Sequence, residues 1–242
     1  MTEHVPFYRW SIKDAVHQNE LESWKVSYDE NCACARAMEE ALDEAEESGG
    51  LKPDSAAPLL ERFGFDRTMW VLAATIQEDR ISPEYTRSNA YWALGIRPPD
   101  ESLRRDYCVR HNPGLVDELT DQVRAAWDAL GLFDRSHCES ETDGQLDYAG
   151  KVLALKGSVL KDRYKTPDDQ LFLAESGFGC APNARGRKVY GRFLKDGEET
   201  HFNRQDFLGI LKEEHLPQWA AERLGEWNMP EETETDGIVM EP

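Results

Sequence analysis

Apolar side chains recur at steps of three and four as far as Leu130, then give way to short runs of Val, Leu, Phe and Tyr broken by Gly, Pro, Asp and Asn. A helical period does not settle into a sheet, nor a strand period into a helix, so the chain must fold as helices first and strands second. From Glu20 to about Ser48, the side chains of Leu21, Trp24, Tyr28, Cys32, Ala35, Met38, Leu42 and Ala45 line one face of an amphipathic helix that Gly49-Gly50 stops. Further helices follow Asp54 and Asp66, the second strongly apolar over Thr68–Gln77. Ser82-Pro83 and Asn112-Pro113 each set a capping side chain before a proline at the first helical position. Behind Asn112, the stripe Leu115, Leu119, Val123, Ala126, Trp127 and Leu130 runs up to Gly131. Arg97-Pro98-Pro99-Asp100 reads as a stiff connector. The expectation for residues 1–133 is an acidic bundle of five or six helices.

Residues 134–147 are polar and acidic with a single leucine, and read as a linker. Beyond them, residues 151–155, 170–174, 188–194 and 199–203 read as strands, with Lys195-Asp196-Gly197 as a hairpin turn between the last two. Pro217–Leu224 restarts a helix able to cover one face of the sheet. The predicted fold class is therefore α+β: an N-terminal helical bundle, then a small antiparallel sheet domain with a covering helix over 148–228. The tail 229–242 is expected to be disordered.

Charge narrows the function classes. The formal net charge is −19, from 28 Lys and Arg against 47 Asp and Glu. Residues 148–228 hold 13 bases and 12 acids, residues 1–147 hold 15 and 30, and the last 14 residues add 5 acids and no base. Such a field attracts basic protein surfaces and disfavours direct nucleic-acid binding over most of the molecule. A second copy of the chain is a further candidate partner, through docking of basic on acidic surface. No apolar run reaches the ~20 residues that span a bilayer, so a cytoplasmic location is expected, with no membrane contact. Five cysteines without regular spacing argue for reduced thiols rather than a disulfide framework.

Several motifs bear on chemistry. Glu39, Glu40, Asp43, Glu44, Glu46 and Glu47 crowd the end of the long helix, where they oppose the macrodipole; they form either a solvated face or a partner-binding ridge. The loop from Gly177 to Gly186 carries three glycines, and Arg185, Arg187 and Lys188 beside it could neutralise phosphate. It lacks the Lys-Ser/Thr ending of a P-loop, which favours a structural loop between strands. Cys180 invites a nucleophile reading with His201 or His215 as base, although no known signature surrounds it. Cys108 and His111, with His137-Cys138 further on, trace a zinc pattern whose adjacent His-Cys pair is unusual geometry, so neither a metal nor a cofactor is expected. The basic set Lys151, Lys156, Lys161, Arg163, Lys165, Arg185, Arg187, Lys188 and Arg192, if gathered on one face, could touch nucleic acid with Tyr164, Phe178 or Tyr190 as stacking groups, but docking against acidic helices of the same chain or a second copy is favoured.

The segments NELESWKVSYDENCACARAMEEAL, LLERFGFDRTMWVLAATIQ, SPEYTRSNAYWALG and HNPGLVDELTDQV, in that order, resemble an uncharacterised family, domain of unknown function 3849. The stretch YKTPDDQLFLAESGFGCAPNARGRKVYGRFLKDGE with RQDFLGILKEEHLPQWA is similar to the companion C-terminal segment of such proteins. The resemblance implies a gene carried on integrative or conjugative elements and related phages of gut bacteria. It implies no catalytic residues. Joined to the net charge, it leads to the expectation of a non-enzymatic, anti-CRISPR-like inhibitor that binds a basic surface of a host nucleic-acid-guided nuclease or other defence complex. Glu39, Glu40, Asp43, Glu44, Glu46 and Glu47 would make the contact. The alternative is a nucleic-acid-binding accessory of conjugative transfer, acting through Arg185, Arg187 and Lys188.

Overall fold

The computed structural model describes residues 4–9, 11–79, 82–96, 107–141 and 144–227. The expected connector Arg97-Pro98-Pro99-Asp100 and the tail 229–242 lie outside the described residues. The fold is α+β, and the chain divides into two compact units, Met1–Gly131 and Leu132–Pro242.

The first unit holds α1 (Ile12–His17), α2 (Leu21–Ser48), α3 (Ala56–Glu78), α4 (Arg87–Ile96) and α5 (Pro113–Asp128). The stripe of α2 does what its spacing dictates: Cys34, Ala35, Met38 and Leu42 are buried with Leu59, Phe63, Met69 and Leu72 of α3 and Val116, Leu119 and Val123 of α5. Gly49 ends the helix in the left-handed region, φ 89°, a conformation that costs a residue with a Cβ about 1–2 kcal/mol. The two helical segments expected after Asp54 and Asp66 form one element broken at Gly64, and from Arg67 to Gln77 every side chain except Trp70 is buried. Arg67 is itself buried: its guanidinium donates to Asn31 Oδ1 at 3.0 Å and to the carbonyls of Val5 and Pro6 at 3.2 and 3.3 Å, pinning the N-terminal segment to the bundle. Asn112 caps α5 as its motif predicts, accepting from the Gly114 amide at 2.8 Å. The Ser82-Pro83 signal starts no helix. α4 begins after Thr86, whose hydroxyl accepts from the Asn89 amide at 3.2 Å and whose own amide is held by Asp117 of α5 at 3.1 Å, so a tertiary contact sets the start.

The second unit is a five-stranded antiparallel sheet, β1 (Val152–Leu155), β2 (Leu171–Ser176), β3 (Lys188–Phe193), β4 (Glu199–Asn203) and β5 (Phe207–Ile210), in the order β4-β3-β2-β1-β5, followed by α6 (Gln218–Trp227). If the sheet were flat, four strand spacings would separate β4 from β5 by about 19 Å. Only the turn Arg204–Asp206 joins them, and four Cα steps reach at most about 14 Å. The sheet must therefore curl into a partly closed roll. The rings confirm it: Phe202 on one edge strand and Phe207 on the other meet at 6.0 Å, and both touch Phe172 of β2 at 5.5 Å. The inside of the roll is this phenylalanine cluster with Leu153, Leu155, Val189 and Tyr148. On the outside, Ala154, Leu171, Leu194 and Leu211 pack under Ala220, Leu224 and Trp227 of α6, the covering helix that was expected.

Residues 134–147 do not behave as the expected linker. Asp134 caps the turn Arg135–His137, Cys138 bridges Leu211, and Glu141 is buried against Arg204 with an N–O separation of 2.7 Å. The polar composition that suggested a linker includes local caps at Asp134 and a carboxylate, Glu141, that is satisfied by Arg204, some 60 positions further on.

Candidate functional site

The acidic cluster on α2 separates into two stripes. In a helix, residues i, i+4 and i+7 share a face and neighbouring positions lie about 100° apart. Glu39, Asp43 and Glu46 form one stripe, and the segment after Tyr107 lies along it. Glu39 Oε1 accepts from the Arg110 amide at 2.7 Å, and His111 Nε2 stands 3.2 Å from Asp43 and 3.6 Å from Glu46. The His111 side chain is only 7% exposed, so these three carboxylates are occupied in holding a loop on the bundle. Glu40, Glu44 and Glu47 form the second stripe. All three are exposed and have no hydrogen-bonding or ion-pair partner among the described residues. Of the six predicted contact residues, the fold therefore leaves one straight row of three carboxylates free, about 5–6 Å apart, at a helix end that is itself negative.

The second unit brings together a different surface. β3 and β4 are in register with Lys188 opposite Asn203, Tyr190 opposite His201 and Arg192 opposite Glu199, all pointing out of the roll. Tyr190 and His201 rings lie 5.2 Å apart and Lys188 Nζ meets His201 Nε2 at 2.9 Å. Arg185, Arg187 and Lys188 are exposed, and no carboxylate pairs with them among the described residues. Phe178 stands in the preceding loop, 86% exposed, and Tyr190 is 45% exposed.

The glycine-rich loop is structural, and its organiser is Arg204, which sequence reading had passed over. Its Nη1 donates to the carbonyls of Gly179, Cys180 and Ala181 at 2.9, 3.1 and 3.1 Å. Its Nη2 donates to Glu141 and to the carbonyls of Gly144 and Leu146 at 2.7, 3.1 and 2.6 Å. The guanidinium also stacks 3.7 Å over the Tyr148 ring. Burial opposes ionisation of Glu141, but hydrogen bonds from Tyr148 and Arg204 outweigh it and hold the carboxyl below the usual carboxylate range. No sequence signal marks Arg204 apart from other arginines. The Tyr190–His201 pair was not within reach: counting outward from the Lys195-Asp196-Gly197 turn sets Tyr190 opposite Phe202, one residue off the register that the strands adopt.

The nucleophile and zinc readings weighed and set aside above find no support in the described residues. Cys180 is buried, its Sγ donates to the Ser176 carbonyl at 3.1 Å, and desolvation pushes the thiol up. His201 lies on the outer face with Lys188, whereas His215 meets His137 edge to face at 4.8 Å, so neither serves Cys180 as a base. Cys108 and His111 belong to the first unit and His137 and Cys138 to the second, where each is engaged locally: His137 with Asp134 at 2.8 Å, Cys138 in its strand bridge. Among the described residues, no group of three or more His, Cys, Asp and Glu side chains could hold a metal ion. None of the five cysteines, all of them described, is in a disulfide, and no described helix is long and apolar enough to cross a membrane.

No curated protein and no solved structure matches the chain. Residues 7–128 match a family described as protein of unknown function, DUF3849, a stretch that takes in the acidic stripes of α2 and stops before the sheet. The chain belongs to that family.

Proposed function

We propose that this protein acts by non-covalent binding, docking the free acidic row of α2 on the cationic channel of a host nucleic-acid-guided defence nuclease and so blocking it. The observation that carries this reading is the row itself: Glu40, Glu44 and Glu47 stand exposed and unpartnered, while the parallel row Glu39, Asp43 and Glu46 is committed to the fold. Glu47, in the last turn of the helix, costs about 0.3–1 kcal/mol through the macrodipole, and a cationic partner relieves that cost. A line of evenly spaced negative charges also presents to such a channel the pattern of a nucleic-acid backbone, the ligand it is built to hold. The test is a cleavage assay with purified guided nuclease and increasing protein. Cleavage should fall at stoichiometric protein and recover as salt rises. Full cleavage at large excess and low salt removes this reading.

A second reading, nucleic-acid binding by the second unit, is favoured by the exposed Arg185, Arg187 and Lys188 beside Phe178 and Tyr190. A gel shift at low salt tests it. It should use the full chain, because a fragment beginning at residue 148 lacks Glu141 and with it the ion pair of Arg204.

A further inference from the structure

Among the described residues of the second unit, only half of the outer face of the sheet is covered. α6 spreads over Leu171, Leu194 and Leu211, and its Trp227 ring lies 5.3 Å beneath the Arg192 guanidinium, which marks the limit of the covered half. Beyond Arg192 the face continues as the Tyr190–His201 pair and then Lys188 opposite Asn203. Arg192 also gathers the nearby carboxylates, Glu175 at 2.6 Å and Glu199 at 3.5 Å, and Asp206 is turned inward to the Asn203 amide at 2.8 Å. The uncovered half is thus left with cations and aromatic rings.

Phe178 is held outward by construction. A Cβ on Gly177 would fall 2.5 Å from the Lys188 carbonyl oxygen and 2.9 Å from Tyr190, and one on Gly179 would fall 2.5 Å from the Arg187 carbonyl oxygen. The Gly179 amide donates to the Lys188 carbonyl at 2.8 Å, so the loop is laced to β3 on both sides of Phe178, with Arg204 binding the next three carbonyls from beneath. A ring 86% exposed on a backbone fixed this firmly is presented, not left over at a loose tip.

We propose that this uncovered half-face is a stacking platform for single-stranded nucleic acid, with Tyr190 and Phe178 taking bases and Lys188, Arg185 and Arg187 taking phosphates. The proposal rests on the second reading above and adds the form of nucleic acid and the manner of its binding. Unpaired bases offer their faces to aromatic rings whereas duplex bases do not. The long-range repulsion of a −19 molecule also weighs more on a duplex, which carries twice the phosphate charge per length.

Fluorescence anisotropy of the full chain with a labelled single strand of about ten nucleotides, the same sequence as a duplex, and polyglutamate as competitor tests it. The single strand should bind at low salt at least about tenfold more tightly than the duplex. Phe178→Ala and Tyr190→Ala should each weaken it roughly ten- to a hundredfold, whereas Tyr190→Phe retains binding. Arg185→Gln and Arg187→Gln should each lower the salt slope by about 0.7. Because these side chains are exposed, unchanged thermal midpoints verify that the variants fold. Equal binding of both forms, untouched by Phe178→Ala and Tyr190→Ala but abolished at Arg185, Arg187 and Lys188, overturns the platform and leaves the second reading standing. No binding of either form overturns both. Polyglutamate competing as well as the oligonucleotide shows a site for acidic chains, and the platform falls.

Discussion

Replacing Arg204 with Met is the severest test of how the second unit is built. The guanidinium satisfies five main-chain carbonyls and the Glu141 carboxylate while its plane covers Tyr148. Leaving a buried acceptor unpaired costs about 1–3 kcal/mol, and six such losses would rival the ~5–15 kcal/mol total stability of an ordinary domain. They do not add, because water reaches part of the loop once the arginine is gone. The appropriate scale is that of a buried ion pair deprived of one partner, about 3–5 kcal/mol. Glu141→Gln retains the side-chain shape and one acceptor oxygen but loses the charge and turns the other acceptor into an NH2 donor, so about 1–3 kcal/mol is expected. Urea unfolding followed by hydrogen exchange at the β1–β3 amides reports on this unit alone. With an m-value of about 1.5 kcal/mol/M, Arg204→Met should lower the midpoint by roughly 2–3 M. A drop under about 0.5 M would refute the assignment of Arg204 as the organiser of the loop.

Two further outcomes follow from the same structure. The Glu141 carboxyl is held below its ordinary range, and hydrogen bonding from Ser136 brings Asp134 down to about 2. Both groups titrate lower in the folded than in the unfolded chain, so their stabilisation is complete above the ordinary carboxylate range near ~4 and is lost as pH falls through the folded values. Melting temperature should decline below about pH 4, and Glu141→Gln should flatten that decline, with Asp134 contributing little because it is exposed to solvent. Desolvation raises the Cys34 thiol to about 12, the Cys138 thiol to about 11, and the Cys180 thiol in the same direction, so a thiol reagent at neutral pH should label all three only at the rate of unfolding. Rapid selective labelling of Cys180 would restore the nucleophile reading.

What could be read directly from the chain was whatever repeats locally. The stripe of α2, the Asn112-Pro113 start of α5, and β1 to β4 around the Lys195-Asp196-Gly197 turn all express a short-range period or turn chemistry. α1 escaped because six residues make less than two turns, and β5 because Phe207–Ile210 has no alternation; its strand character comes from pairing with β1. Residues 134–147 were misread for the same reason in reverse: their charges make sense only once Arg204 is folded against Glu141. The acidic cluster was legible as a group of six, and helical geometry alone sorts it into two rows. Which row is occupied depends on where residues 110 and 111 return to α2, and nothing local encodes that.

The most direct test of the proposed mode of action compares the two rows. Glu40→Lys, Glu44→Lys and Glu47→Lys combined should abolish inhibition of the guided nuclease without lowering the melting temperature, whereas Glu39→Gln with Asp43→Asn should lower the melting temperature and leave inhibition intact at temperatures where the chain is folded. Undiminished inhibition by the folded triple-lysine variant would contradict the account.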